Sequence, residues 1–308
     1  MMPELAIAVS HTSQAEAFLF GRNPFQGKDT LSRYLAEIYK DAVSLARSKR
    51  ITHLYWGNSF CQYRLPSINE LKDAISFCES RNIEFVLMTP PLNDIGIAQC
   101  QLYLDTLQSA KKAVPIVVND LGFLVLLKET QYCGEIIWGR VLDKTTRDVR
   151  MTNNERCQYY SASGYEYARS LASTAKTYQQ TLSHWGVTRI QCDCASYPLV
   201  GGEMRYDMFY PTEYLTTGRM CLFQNAAKIS DNQPSSMKKG CLHLCQDTME
   251  LLIRPVDRIV LEEDGSRVLS QKVVRYGNTL FCFHNNLQLP SQASRIVIDL
   301  DFSLNRYY

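Results

Sequence analysis

Residues 84–139 read EFVLMTPPLNDIGIAQCQLYLDTLQSAKKAVPIVVNDLGFLVLLKETQYCGEIIWG, and they decide the fold. Three short runs, Glu84 to Met88, Pro115 to Asn119 and Glu135 to Gly139, are unbroken apolar stretches at their centres. Helical patterns over Ala98 to Ala110 and Leu121 to Glu129 separate them. A strand with one wet face alternates apolar and polar residues, so unbroken apolar runs of this length mean strands covered on both faces. Covered strands joined through helices form a parallel sheet.

The alternation extends in both directions. Upstream, Ala6 to Ser10 and Thr52 to Trp56 read as strands around a long amphipathic helix, Asp29 to Lys49, with Leu31, Tyr34, Leu35, Ile38 and Tyr39 on one face. Ser67 with Glu70 three residues on is a capping box, and Leu71, Ala74, Ile75 and Cys78 follow on the inner face of the helix it opens. Downstream come a helix over Tyr165 to Trp185 and a strand over Arg189 to Cys194. Six or more such units in one register predict a TIM-like (β/α) barrel of the α/β class. After about residue 205 the pattern changes to strands at Tyr206 to Tyr210, Arg258 to Glu262, Leu280 to His284 and Arg295 to Asp301. A cysteine-rich polar loop lies among them, including the stretch Asp231 to Lys239. With no internal repeat and no linker, residues 1–308 are expected to form one domain.

The composition is that of a globular chain, with 45% hydrophobic and 21% charged residues. Lys plus Arg number 33 against 31 Asp plus Glu, and a net charge of +2 gives no general attraction for nucleic acid or a membrane surface. The start, Met1-Met2-Pro3-Glu4, has no basic region, and the longest tight apolar run, Phe123 to Leu127, is far short of a membrane span. A cytoplasmic protein is expected.

Eleven cysteines are many for such a chain, and in a reducing compartment they are not disulfides by default. Cys78 and Cys100 fall on apolar helix faces, and Cys133, Cys157 and Cys282 stand alone in sequence, so their ordinary role is packing. Cys192 and Cys194 flank Asp193 on one strand and share a face, but no third ligand lies nearby in sequence. Cys221, Cys241 and Cys245 differ, because they fall where the strand and helix alternation stops and the polar loop Asn225 to Gly240 begins. Cys241 and Cys245 are four apart, so a helical turn would stack both thiolates, and Gly240 would let the backbone approach a bound group. Three thiolates leave one position of a tetrahedral set. His243 would complete a zinc site. Cys61 is the better candidate, since Tyr55-Trp56-Gly57-Asn58-Ser59-Phe60-Cys61 follows a barrel strand and such loops converge on one face. Four cysteines suit zinc or an iron-sulfur cluster equally by count.

The segment Met208 to Cys221, MFYPTEYLTTGRMC, with Gly240-Cys241-Leu242-His243-Leu244-Cys245 after it, resembles the cysteine box of the U32 peptidase-like family. Leu54 to Cys61, Val118-Asn119-Asp120-Leu121-Gly122, and Tyr276-Gly277-Asn278-Thr279-Leu280 leading to Asn285-Asn286 resemble further landmarks of that family, so the resemblance spans nearly the whole chain. It implies a TIM-like barrel and a [4Fe-4S] cluster. Many members carry a cysteine seven residues before the one matching Cys221, where this chain has Tyr214. The subgroup similar to the V-type subunit of the oxygen-independent ubiquinone-biosynthesis hydroxylation pair takes that ligand from the N-terminal part of the barrel instead, and Cys61 matches it. The resemblance therefore implies Cys61, Cys221, Cys241 and Cys245 as cluster ligands.

It also implies a function: oxygen-independent hydroxylation of an aromatic, ubiquinone precursor-like substrate, with prephenate as oxygen donor. The expected partners are a homologous U32-family subunit in a heterodimer and a lipid-carrying accessory protein, with nucleic acid not expected. Asn58, Asp120, Arg140 and Asp193 sit at strand ends, where barrel enzymes do chemistry, and are the candidate pocket residues; a helix cap or a loop ion pair is the plain alternative for each. Three other classes stand beside this one: a U32-type peptidase, an RNA-hydroxylating relative and a zinc-bound non-catalytic subunit. The peptidase lacks a G-x-S-x-G elbow, and the RNA enzyme would want a basic face.

Overall fold

The computed structural model describes residues 2–25, 27–143, 145–147, 161–219, 221, 223, 241, 243–246, 248–259 and 267–302. Cys157 and the loop over Asp231 to Lys239 lie outside them. Seven strands come first: β1 (Glu4–Val9), β2 (Ile51–Gly57), β3 (Glu84–Met88), β4 (Ile116–Val118), β5 (Ile136–Trp138), β6 (Val187–Asp193) and β7 (Arg205–Tyr210). Then β8 (Thr212–Thr217), β9 (Met249–Ile259), β10 (Arg267–Tyr276) and β11 (Thr279–Phe283) form a separate four-stranded sheet in the order β8-β11-β10-β9. The last strand, β12 (Ala293–Asp299), enters between β7 and β1 and closes an eight-stranded barrel in which every neighbouring pair is parallel. This is the TIM-like (β/α) barrel that the sequence predicts.

The helices are α1 (Thr12–Leu19), α2 (Thr30–Ile38), α3 (Lys40–Ser48), α4 (Ile68–Arg81), α5 (Asp94–Ser109), α6 (Leu121–Glu129), α7 (Ala162–Arg169) and α8 (Lys176–His184). The capping box at Ser67 opens α4, with the Ser67 N–H donating to Glu70 at 2.7 Å. Two expected long helices are broken. The pattern over Asp29 to Lys49 divides at Tyr39, where ψ is −2° and the buried ring stacks on Phe25 at 4.0 Å. The pattern over Tyr165 to Trp185 divides where Ser170 bridges to Val200 and the Leu171 N–H donates to the Val200 carbonyl at 3.0 Å. Helical periodicity survives the one-residue break at Tyr39, and the second break, over Ser170 to Ala175, is imposed by pairing with Val200, which no local spacing displays.

The excursion between β7 and β12 departs furthest from expectation. A strand was expected over Arg258 to Glu262; β9 instead starts at Met249, with 260–266 outside the described residues, and β8 and β10 were not anticipated. Glu250, Arg254, Lys272 and Arg275 interrupt the apolar pattern in the sequence there, and the two strands pair with each other across the ribbon.

Side-chain alternation explains the unbroken apolar runs. Ala6, Ala8, Tyr55, Val86, Met88, Val117, Ile137, Phe209 and Val297 fill the barrel, while Leu5, Ile7, Trp56, Leu87, Ile116, Trp138 and Ile190 face the helices. Tyr214, Val274, Tyr276, Phe281 and Phe283 of the second sheet belong to that same outer cluster.

Each end of the barrel holds buried ions. At the N-terminal end Asp207 accepts from Arg189 at 2.7 Å and from the Tyr55 hydroxyl, with Arg295 at 3.7 Å. At the C-terminal end the Arg140 guanidinium lies between Asp193 and Asp299, at 2.9 Å from each, and covers the Phe209 ring at 3.9 Å. Burial pushes the Asp193 and Asp299 carboxyls up, and Arg140 opposes that shift. None of the described helices is long and apolar enough to cross a membrane.

Two outcomes follow. Arg140→Ala strands two buried carboxylates and is expected to cost about 3–5 kcal/mol in urea unfolding; a loss near zero would show that the mouth is hydrated. Burial also pushes the Cys78 and Cys100 thiols up to about 12. Groups raised by folding stabilise below their unfolded value and lose that contribution as pH climbs through the folded one. Stability is therefore expected to fall between about pH 9 and pH 12, and Cys100→Ala should flatten part of that fall in unfolding midpoints taken across the range.

Candidate functional site

The four cysteines singled out in the sequence come together. Cys61, Cys221, Cys241 and Cys245 all line one cavity at the C-terminal mouth of the barrel. Cys61 arrives on the loop after β2, and the other three arrive on the excursion between β7 and β12.

Asn58 sets the Cys61 loop. Its side-chain carbonyl accepts the Phe60 N–H at 2.9 Å and the Cys61 N–H at 2.7 Å, an Asx turn that aims Cys61 over the mouth. Its amide donates to Asp301 at 3.3 Å. Asn278 then ties the two cysteine-bearing segments together, donating to the Phe60 carbonyl at 2.9 Å and to the Gly218 carbonyl at 2.6 Å. Asn278 sits in the two-residue hairpin between β10 and β11, where Gly277 has φ of +60°. A Cβ on Gly277 would lie 3.6 Å from the Cys245 sulfur, so the hairpin rests against that thiol.

The helical turn expected for Cys241 and Cys245 is not an α-helix. Cys245 sits in a short 3-10 turn, Leu244–Gln246, and His243 adopts φ of +55° with its N–H donating to the Cys241 sulfur at 3.4 Å. His243 does not line the cavity.

Three arginines and two carboxylates line the cavity beside the thiols. Arg64 makes a two-pronged bond to Asp301, 3.1 Å on each arm, donates to Ser10 at 2.9 Å, and lies over the Tyr276 ring at 4.6 Å. Arg140 and Arg219 also line the cavity, as do Asp299 and Asp301. Burial pushes the Cys61 thiol up to about 11, with the Tyr63 N–H and Arg64 pulling the other way. Burial raises Cys245 as well, against Arg64. As free thiols both stay protonated at neutral pH, so a metal entering here displaces protons.

Of the other strand-end candidates, Asn58 and Arg140 line the cavity, and Asp193 lies behind Arg140, which it holds, also accepting the Tyr214 N–H at 3.2 Å. Asp120 is outside the cavity. Its carboxylate caps α6, accepting from Gly122 at 2.8 Å and Phe123 at 3.2 Å, and takes the Leu92 N–H at 2.9 Å, so the helix-cap alternative holds there. Reading the sequence missed Arg64, Asn278 and Asp301. Arg64 is three residues beyond Cys61, a signal that was present; nothing local marks Asp301.

The donor set fits a thiolate-held metal group: four sulfurs, three arginines against their charge, and two carboxylates already bonded to arginines. Among the described residues, the group whose ligand atoms all lie within 4.8 Å of one another is Glu213, Cys282 and His284, and no three of these four cysteines form such a group. A single zinc would draw four sulfurs to about 3.8 Å apart.

Comparison with known proteins returns no family model, no curated protein and no solved structure that matches this chain.

Asn278→Ala is expected to leave two carbonyls without their donor, costing about 1–2 kcal/mol and raising hydrogen exchange of the Phe60 and Cys61 amides. Unchanged exchange there would mean the loop holds itself.

Proposed function

We propose that the four cysteines hold a [4Fe-4S] cluster and that the chain is a U32-type barrel protein taking part in oxygen-independent hydroxylation of an aromatic, ubiquinone precursor-like substrate. The observation that carries this reading is the meeting of Cys61 with Cys221, Cys241 and Cys245 at one cavity, from segments 160 or more residues apart. When bound, such a cluster supplies one-electron chemistry tuned by burial and neighbouring hydrogen bonds.

The chain's own residues then have definite tasks. Asn58 and Asn278 fix the loops. Arg64 and Arg219 offset thiolate charge, and Arg140, over Phe60 at 4.8 Å and Phe209 at 3.9 Å, seals the barrel beneath and excludes water. The oxygen comes from an organic donor, prephenate: the ring exchanges hydrogen for hydroxyl, and the donor gives up its hydroxyl and is reduced in the same event. A homologous U32-type subunit completes the enzyme, a lipid-carrying accessory presents the greasy substrate, and the complex works in the cytoplasm. A peptidase is less well supported, since among the described residues lining the cavity there is no histidine to serve as base for a cysteine.

Protein purified without oxygen should be brown, with about four iron and four sulfide per chain, and should bleach in air. Each of Cys61→Ala, Cys221→Ala, Cys241→Ala and Cys245→Ala should lose most of the iron, whereas Cys78→Ala and Cys100→Ala keep it. Colourless protein whose bound zinc is lost in Cys61→Ala or Cys245→Ala would overturn the cluster, and full iron in Cys61→Ala would overturn its place among the ligands. For the pathway, a deletion strain should accumulate a hydroxylation intermediate only under anaerobic growth, with the four cysteine variants failing to rescue it. Unchanged quinones in that strain would remove the substrate assignment and leave the cofactor standing.

A further inference from the structure

A second set of metal donors lies on the small sheet, outside the cavity. In the antiparallel pairing of β8 with β11, Cys282 is the direct partner of Glu213, and His284 follows two residues after Cys282, its N–H donating to the Pro211 carbonyl at 2.9 Å. Direct partners and residues two apart share a sheet face, so the register alone puts the three side chains side by side. Phe281 and Phe283, on the opposite face, pack on Phe302. The three polar side chains are almost buried, with Cys282 at 1% exposure and the Glu213 and His284 side chains at 8% and 10%.

Their atoms converge. The His284 Nε2 is 2.6 Å from Glu213 Oε2 and 3.6 Å from the Cys282 sulfur, and that sulfur is 3.1 Å from the same Oε2. A nucleophilic triad is not this arrangement, because there one imidazole nitrogen faces the thiol and the other faces the carboxylate. Here a single nitrogen, a single oxygen and the sulfur point at one another. Around a tetrahedral zinc, such donors stand about 3.4–3.6 Å apart. The sulfur–nitrogen distance already fits; the sulfur–oxygen distance of 3.1 Å opens by about half an ångström and the nitrogen–oxygen distance of 2.6 Å by about 0.8 Å, within reach of side-chain rotation.

We propose that Glu213, Cys282 and His284 bind one zinc ion, in a site separate from the four-cysteine cavity. The mixed sulfur, nitrogen and oxygen set suits zinc over calcium or magnesium, which take oxygen alone. Binding forms three bonds to the metal; the Cys282 thiol proton leaves to solvent, and the proton shared between His284 Nε2 and Glu213 Oε2 leaves to solvent or moves to Nδ1, so that a neutral imidazole binds through Nε2, with no change of oxidation state. The fourth position falls to water or to Cys194, which lies close enough to Glu213 and Cys282 for their charges to be felt. The proposal does not rest on the cluster.

The test uses the full chain with Cys61, Cys221, Cys241 and Cys245 all changed to Ser, incubated with Zn²⁺ and dialysed. It should retain about one zinc per chain. Adding His284→Gln or Cys282→Ser should reduce this at least tenfold. With Co²⁺ in place of Zn²⁺, a sulfur-to-cobalt charge-transfer band should appear and should vanish with Cys282→Ser. If the four-serine chain does not fold, the same subtraction is made in the wild-type background, where His284→Gln should bind one equivalent less than wild type. No retained zinc, or equal zinc with and without His284, reduces the cluster to a buried Glu-His ion pair beside a packing cysteine and overturns the proposal.

Discussion

The Arg140 guanidinium, held between Asp193 and Asp299, is the contact on which the mouth of the barrel depends. Three strands meet through it, since Arg140 follows β5 while its carboxylates end β6 and β12. Its faces are used too: Phe209 lies beneath and Phe60 beside it. Phe60 also packs on Tyr214 and Phe281 of the second sheet, with ring centroids 5.2 and 5.1 Å apart. One buried cation thus registers the barrel top, the Cys61 loop and the small sheet against each other. A fully paired buried charge contributes little net stability but tolerates few alternative arrangements, because any other packing leaves a carboxylate uncompensated. That is a useful property where four thiols from distant segments must meet.

The route of the chain supplies the rest. The excursion leaves the barrel at Tyr210, at the C-terminal end of β7, and returns at Ala293 to lay β12 between β7 and β1. The excursion therefore starts at the same end at which the loop after β2 emerges, because all eight strands are parallel, and its first residues lie within reach of the Cys61 loop. The hairpin holding Gly277 and Asn278 then reaches back across the gap, and the Asn278 amide bonds to both sides of it.

The barrel was legible in the sequence because parallel strands buried on both faces leave unbroken apolar runs, as at Glu84 to Met88, which is β3 to the residue. The capping box at Ser67 and α6 at Leu121–Glu129 were legible for equally local reasons. The small sheet was not. Its strands β9 and β10 carry charges at many positions and are made by pairing with each other, a property of two segments that no single one displays. The same distinction divides the site. The meeting of Cys61 with the later cysteines was predictable from barrel topology, while Arg64 bonding to Asp301, 237 residues away, was not. Asp120 had the right place in the sequence for a pocket residue and the wrong direction in space, because a carboxylate just ahead of a helix is drawn to its free N–H groups.

The two sulfur-bearing sets differ in how their donors are placed. The cavity set is four thiols with arginines about them, spread over loops, and burial holds Cys61 and Cys245 in the neutral form until a cation displaces their protons. Under the proposed reading, Arg219 and Arg64, the latter already bonded to Asp301, would stand beside the thiolates of a bound group. The sheet set offers one sulfur, one nitrogen and one carboxylate oxygen at fixed register on two paired strands, with no room to spread. A single small cation suits such a set, because its own charge is offset by one thiolate and one carboxylate. Loops that have to be tied together by Asn278 gain order from what they bind, whereas a paired ribbon already has its order. If each set holds the group proposed for it, losing that group would loosen the structure at the mouth and would cost the sheet little more than a ligand.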